Sequence, residues 1–230
     1  MLHKEGKSKE SAKYLKIAND ESLKYKKSDL SLKIKHTEYY RSLKIKNSKN
    51  KYLENASNYI FIVGMPRSGS TLLENILSLN PEVTDMGEVN FLEESIKEAK
   101  VFENVYELYE KKVINQFQSS IIYTDKSLFN YMYCHVISHF FPRAKIINCI
   151  RNPLDNILSI YRANFLKQSF SFSLTDISSL YVHYFETMEE YKIKYGENIY
   201  DYHYEDLIEN PHNIIPCLLY TSDAADDANC

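Results

Sequence analysis

The run Gly64-Met-Pro-Arg-Ser-Gly-Ser-Thr71 is the part of this 230-residue chain best suited to hold an anion. It follows an apolar, β-rich stretch, Tyr59 to Val63, and precedes a helix-forming stretch, Thr71 to Leu79. A loop between a strand and a helix N-terminus aims several backbone N–H groups at one point, and the helix dipole adds partial positive charge there. Gly69 lets the backbone approach a ligand closely. Gly64 and Gly69 have the GxxxxG spacing of a nucleotide-phosphate loop, but Ser70 stands where an ordinary ATPase or kinase carries lysine. The cation comes earlier, at Arg67. Such a loop can hold a phosphate-like group without the lysine that bridges the terminal phosphates of ATP. Ser68, Gly69, Ser70 and Thr71 supply its backbone and hydroxyl donors.

A second constellation begins at Arg151, just after the apolar run Lys145 to Ile150. The C-terminal ends of strands are where α/β folds place ligand contacts. A guanidinium suits a dianionic phosphate, because it is always charged and binds bidentately. Asn152-Pro153 opens a helix, with proline at a tolerated first-turn position. Ser159 and Arg162 fall three apart on one face of that helix, so Ser159 can donate to the same phosphate and Arg162 is a weaker candidate. Asp155 is an alternative ion-pair partner for Arg151. His135 and His139 are spaced as helical metal ligands could be, but neither an HExxH motif nor a third ligand accompanies them, and no metal site is expected.

The elements around these residues alternate. Strands are expected at Tyr59 to Val63, Ile121 to Thr124, Lys145 to Ile150 and Asn198 to His203. Helices are expected at Glu88 to Ala99, Val101 to Phe117, Leu128 to Phe141 and Leu174 to Tyr195. This order predicts an α/β, P-loop-like three-layer fold with a central, mostly parallel sheet. Before residue 58 apolar spacings of three and four predict two amphipathic helices with a break near Ser28-Asp29. The expected organisation is a helical segment over 1–57 and an α/β domain over 58–216. Residues 217–230 match no core pattern and read as a non-native tail.

Composition narrows the classes. The net charge of −3 hides 15 Lys/Arg against 7 Asp/Glu in residues 1–58 and 13 against 24 thereafter. The basic segment reads as a solvated, lysine-rich helical surface, and nothing in the chain looks like a base-reading nucleic-acid motif. No stretch reaches the roughly 20 apolar residues of a membrane helix. Met1 to Glu10 shows no signal-peptide pattern. Cys134, Cys149, Cys217 and Cys230 form no CxxC pair. The expected setting is the reducing cytoplasm.

The two constellations together resemble a family. Ile60-Phe-Ile-Val-Gly-Met-Pro-Arg-Ser-Gly-Ser-Thr-Leu-Leu-Glu74 resembles the 5′-phosphosulfate loop of sulfotransferases that use 3′-phosphoadenosine 5′-phosphosulfate (PAPS). Cys149-Ile-Arg-Asn-Pro-Leu-Asp-Asn-Ile-Leu-Ser-Ile-Tyr161 is similar to their 3′-phosphate element, an arginine followed eight residues later by serine. The similarity runs over about residues 58–215, toward bacterial enzymes with N-terminal tetratricopeptide repeats and protein-tyrosine sulfotransferases. It implies PAPS as co-substrate, no metal, and a hydroxyl acceptor on a peptide tyrosine, a sugar or a small molecule. It implies that Arg67, Ser68, Gly69, Ser70, Thr71, Arg151, Ser159 and Tyr204 bind the nucleotide. Arg67 also stabilises the bridging oxygen, Glu88 of Asp85-Met-Gly-Glu88 is the general base, and Lys126 of Thr124-Asp-Lys126 is a cation for the transferred group. The N-terminal helices become the remnant of a last repeat, able to contact a protein partner. The family's C-terminal segment is absent if the native chain ends near 216. Two other readings stay open: a kinase with an atypical phosphate loop, and a non-catalytic helical adaptor.

Overall fold

A computed structural model describes residues 5–45, 58–118, 120–141, 143–165 and 167–215. The expected tail over 217–230, with Cys217 and Cys230, lies outside the described residues. The chain opens with two helices, α1 (Ser8–Tyr25) and α2 (Leu30–Ser42). Five strands follow: β1 (Asn58–Gly64), β2 (Val83–Asp85), β3 (Ile122–Asp125), β4 (Lys145–Ile150) and β5 (Ile199–His203). Between and after them lie α3 (Ser70–Leu77), α4 (Phe91–Glu98), α5 (Val105–Gln116), α6 (Cys134–Phe140), α7 (Pro153–Ala163), α8 (Leu174–Tyr195) and α9 (Tyr204–Glu209).

The strands form one sheet in the order β2-β3-β1-β4-β5, and every pairing is parallel. β1 is central, and the chain leaves it to one side for β2 and β3 and to the other for β4. That reversal opens a crevice beyond the C-terminal ends of β1 and β4, the place where such sheets bind ligands. The alternation of β1 builds both cores. Tyr59, Phe61 and Val63 enter the larger cluster with residues of α4, α5, α6, α7 and α8. Ile60 and Ile62 pack on the other face with Leu73, Ile76 and Leu77 of α3 and Leu207 of α9. Burial on both faces is why the parallel strands read in sequence as continuous apolar runs.

Three expectations are corrected. β2 lacked a sequence signal, since three residues carry no periodicity; it exists because Val83, Thr84 and Asp85 pair with Ile122, Tyr123 and Thr124. The helix expected from Glu88 begins at Phe91, leaving Glu88 on a turn. Leu128 to Phe141 is not one α-helix: a 3-10 segment, Leu128–Tyr133, precedes α6. The buried carboxylate of Asp125 accepts from the Ser127 N–H at 3.0 Å and from Asn130 Nδ2 at 3.2 Å, winding this turn tightly.

The helical pair is docked on the α/β body by buried polar contacts. Asn19 Nδ2 donates to the Tyr161 carbonyl at 3.1 Å, and Ser169 Oγ to that of Lys27 at 2.8 Å. Asp29, at the start of α2, accepts from the Phe170 N–H at 2.7 Å. Arg41 forms an ion pair with Glu190, and Tyr40 lies edge-on to Tyr133 with ring centroids 4.7 Å apart.

Gly64 closes β1 with φ 145°, and a Cβ built there lies 2.7 Å from the Cys149 carbonyl oxygen of β4. The Gly64→Ala variant is therefore expected to lose about 1–3 kcal/mol of stability through backbone strain and overlap. A urea midpoint unchanged from the parent chain counts against this close approach.

Candidate active site

The loop after β1 and the junction after β4 meet as a single structure. Gly69 caps α3 in the left-handed region (φ 96°), and a Cβ there would overlap the Tyr204 ring. Arg67 also has positive φ (68°), a conformation that costs a non-glycine residue energy and persists only when its surroundings hold it. Here α7 and its N-terminus hold it. Arg151 Nη1 donates to the Arg67 carbonyl at 3.1 Å, and Asn156 Nδ2 to the Pro66 carbonyl at 2.9 Å. Arg67 Nε in turn donates to Ser159 Oγ at 3.3 Å. With the loop carbonyls turned toward α7, the N–H groups of Ser70 and Thr71, which a first helical turn leaves without internal acceptors, are available to a ligand.

Arg151 is itself fixed from three sides. Its carbonyl accepts from the Tyr181 hydroxyl at 3.1 Å. The next residue, Asn152, caps α7 and donates its N–H to Glu205 Oε1 at 2.9 Å. The guanidinium carbon sits 4.8 Å from the Tyr204 ring centroid, a cation–π distance. No Arg151–Asp155 ion pair occurs among the described residues. Arg151 Nε and Ser68 Oγ are buried and make no hydrogen bond. Unsatisfied donors at one loop are uncommon and fit an oxyanion that arrives with its own acceptors.

Across the crevice lies a second, mixed-charge group. The turn after β2 is pinned by the Gly87 N–H on Asp85 Oδ1 (2.6 Å) and the Lys126 N–H on the Gly87 carbonyl (2.9 Å). It brings Glu88 beside Lys126, whose Nζ lies 3.0 Å from Glu88 Oε1 and 3.5 Å from Glu74 Oε2. Burial works against the charge on Lys126, but Glu88 and Glu74 overcome it, and the proton is held above the ordinary lysine range. Burial, then a hydrogen bond with Asp85, raises Glu74 from 4.5 to about 7, although Lys126 pulls the other way.

One cleft of about 1150 Å³ joins these groups. Arg67, Gly69, Ser70, Thr71, Glu88, Lys126, Arg151 and Tyr204 line it; Ser68, Ser159 and Arg162 are not among the lining residues. The lining also includes Lys33, Lys35, His36 and Tyr39 of α2, with Phe129, Tyr133, Phe165 and Lys167. Among the described residues no group of three or more His, Cys, Asp or Glu is placed to hold a metal. His139 Nδ1 donates to the His135 carbonyl at 2.9 Å, and His135 Nδ1 is bonded to the Tyr195 hydroxyl. Among the described residues no helix is long and apolar enough to cross a membrane.

Four contributing residues escaped the sequence reading: Asn156, Tyr181, Glu205 and Glu74. Asn156 and Glu74 carried a signal. Each is a fully polar side chain on the buried face of an amphipathic helix, Asn156 with Ile160 and Glu74 with Leu73 and Leu77. A buried polar group must find a partner, and that requirement marks such residues as structural or functional. Tyr181 and Glu205 act through tertiary contacts that no local pattern announces.

A parallel α/β sheet with a phosphate loop at its switch point defines the class. Within it, the chain belongs to the Sulfotransferase family, whose sequence profile matches residues 59–116 and 99–222. An uncharacterized protein of Aquifex aeolicus is 28% identical over 187 residues, covering 70% of this chain and 25% of its own length. The chain thus spans about a quarter of that relative. In fold it is similar to a sulfotransferase from Alicyclobacillus acidocaldarius (TM-score 0.50, 19% identity, 76% of this chain and 86% of that one). It is also similar to the sulfotransferase domain of the Synechococcus PCC 7002 olefin synthase (TM-score 0.52, 20% identity, 80% and 78%).

The strain at Arg67 can be read by substitution. Arg67→Gly and Arg67→Ala both lose the guanidinium, but glycine accepts the left-handed backbone. The glycine variant is expected to be more stable by about 1 kcal/mol in urea unfolding. Equal midpoints for the two count against a strained loop.

Proposed function

We propose that this chain is a sulfotransferase domain that moves a sulfuryl group from PAPS to an acceptor hydroxyl. The observation that carries the reading is the convergence of Arg67 and Arg151 from separate strand ends on one loop, facing Lys126 and Glu88 across one cleft. In this reading residues 58–216 form the catalytic domain. Arg151, with Ser159 behind it, holds the 3′-phosphate, and Tyr204 presents its ring to the nucleotide. Ser68, Gly69, Ser70 and Thr71 bind the 5′-phosphosulfate through N–H and hydroxyl donors. The family connection and the unpaired donors on Ser68 and Arg151 support a doubly anionic nucleotide.

Sulfuryl transfer, like phosphoryl transfer, asks mainly for positioning and charge stabilisation. The acceptor oxygen forms a bond to sulfur while the bond from sulfur to the 5′-phosphate oxygen breaks. Glu88, on a turn with its side chain 75% exposed, takes the hydroxyl proton. Arg67 meets the charge that develops on the leaving oxygen, and Lys126 meets that on the transferred group. The acceptor approaches from the side of Glu88 and α2, so a peptide tyrosine, a sugar or a small molecule reaches sulfur along that wall. The buried free thiols of Cys134 and Cys149 accord with a cytoplasmic setting. A kinase reading lacks the lysine after Gly69, and α2 in the wall argues against helices that serve only as an adaptor.

Calorimetry should show 3′-phosphoadenosine 5′-phosphate binding more tightly than magnesium ATP. Arg151→Ala should weaken the bisphosphate about 100-fold, near the 2–3 kcal/mol of a charged hydrogen-bond donor. Preference for ATP would favour the kinase reading. In a sulfuryl-transfer assay Glu88→Gln should lower kcat by about 10²–10⁴ with bisphosphate affinity retained; wild-type turnover in that variant would remove Glu88 from the role of base.

A further inference from the structure

Glu74 is used by none of the steps above, yet it sits one side chain away from them. It lies on α3, is 3% exposed, and points out of the helix face that Leu73 and Leu77 bury. Its Oε1 accepts from Thr124 Oγ1 of β3 at 3.3 Å, and its Oε2 lies 3.5 Å from Lys126 Nζ. Lys126 therefore has two anionic partners with opposite surroundings. The Glu88 side chain is 75% exposed and that of Glu74 only 3%. Water can receive the first when it swings away; nothing replaces the second.

We propose that Glu74 is the positioning residue of Lys126, keeping the ammonium charged and aimed into the cleft when Glu88 turns to the acceptor. The inference rests on the roles given above to Lys126 and Glu88. Lys126 is itself 6% exposed, and a buried ammonium without an anion gives up its proton. Were Glu88 its sole partner, the base could not leave without discharging the cation. Glu74 removes that conflict. The groups facing Glu74 are Lys126 and Thr124 at the end of β3 and Asp85 at the end of β2, with Glu88 beyond the ammonium. Asp85 favours protonated Glu74 by accepting its hydrogen bond, and Lys126 favours the ionised form.

The test reads Lys126 in the free protein. Competitive acetylation with acetic anhydride across pH 7–10 reports the neutral fraction of each lysine, with Lys192 as a distant control. Glu74→Gln is expected to raise Lys126 reactivity about tenfold at a fixed pH below its midpoint, the factor that accompanies one unit of pKa, and to leave Lys192 unchanged. Glu74→Asp, which restores the charge, should return most of the wild-type profile. Thr124→Val, which keeps Glu74 and removes only its hydroxyl partner, should give a smaller rise and stands in if Glu74→Gln fails to fold. A Lys126 profile unchanged by Glu74→Gln in a folded protein, or an unchanged profile in Thr124→Val where the former does not fold, overturns the proposal. Because the labelling needs no donor, failure to bind 3′-phosphoadenosine 5′-phosphate would sink the functional reading separately.

Discussion

The site depends on where the carbonyls of one loop point. A backbone that offers its N–H groups to an anion must turn its C=O groups the other way, and buried carbonyls need donors. Here the donors are side chains of the next strand-helix junction: Asn156 for Pro66 and Arg151 for Arg67. The loop after β1 is therefore completed by the junction after β4. Arg151 can serve both roles because a guanidinium carries five N–H donors. One nitrogen braces the loop at 3.1 Å while buried Nε remains without a partner. The parallel pairing of β1 with β4, register included, thereby sets the geometry of this loop.

Charge is then arranged around this brace in two separate groups. Arg67 and Arg151 sit over N–H donors with no carboxylate paired to either among the described residues, so the loop side is electropositive and under-satisfied. Lys126, across the cleft, is held between Glu88 and Glu74. The first group leaves its cations without a carboxylate, and the second holds one cation between two carboxylates. Opposite charges in a cleft with low-dielectric walls interact far more strongly than in water, so the two arrangements cannot be exchanged without loss.

The fold was legible because parallel strands buried on both faces leave unbroken apolar runs. The expected bounds of β4, Lys145 to Ile150, and of α8, Leu174 to Tyr195, are the observed ones. β2 was hidden, because a three-residue edge strand is chosen by its neighbour β3 and not by its own pattern. The same division holds in the cleft. Arg67, Arg151 and the loop glycines announce themselves through local spacing, and Glu88 and Lys126 through the resemblance. Asn156 lies inside one of the same motifs and Glu74 ends the other, but their roles follow from burial, which appears only when helix faces are assigned to cores.

The N-terminal helices show how far sequence character can mislead about role. Their lysines are mostly exposed, and α1 buries only Asn19, so in isolation they read as a solvated arm. Yet buried Asn19 and the half-buried Asp29 carboxylate are spent on the α/β body, while Thr37 bonds back to the Lys33 carbonyl of its own helix. Lys33 lies 3.8 Å from the Phe129 ring centroid and pairs with Asp29 at the same distance, which fixes α2 against the 3-10 turn that begins after Lys126. A helix anchored in this way is a wall, and Leu32, Lys33, Lys35, His36 and Tyr39 of it line the same cleft as the loop. The loop side of the cleft is built from backbone and two arginines, whereas this side is built from side chains of a separate helix, so a substitution on the exposed face of α2 leaves the bracing of the loop by Arg151 and Asn156 untouched.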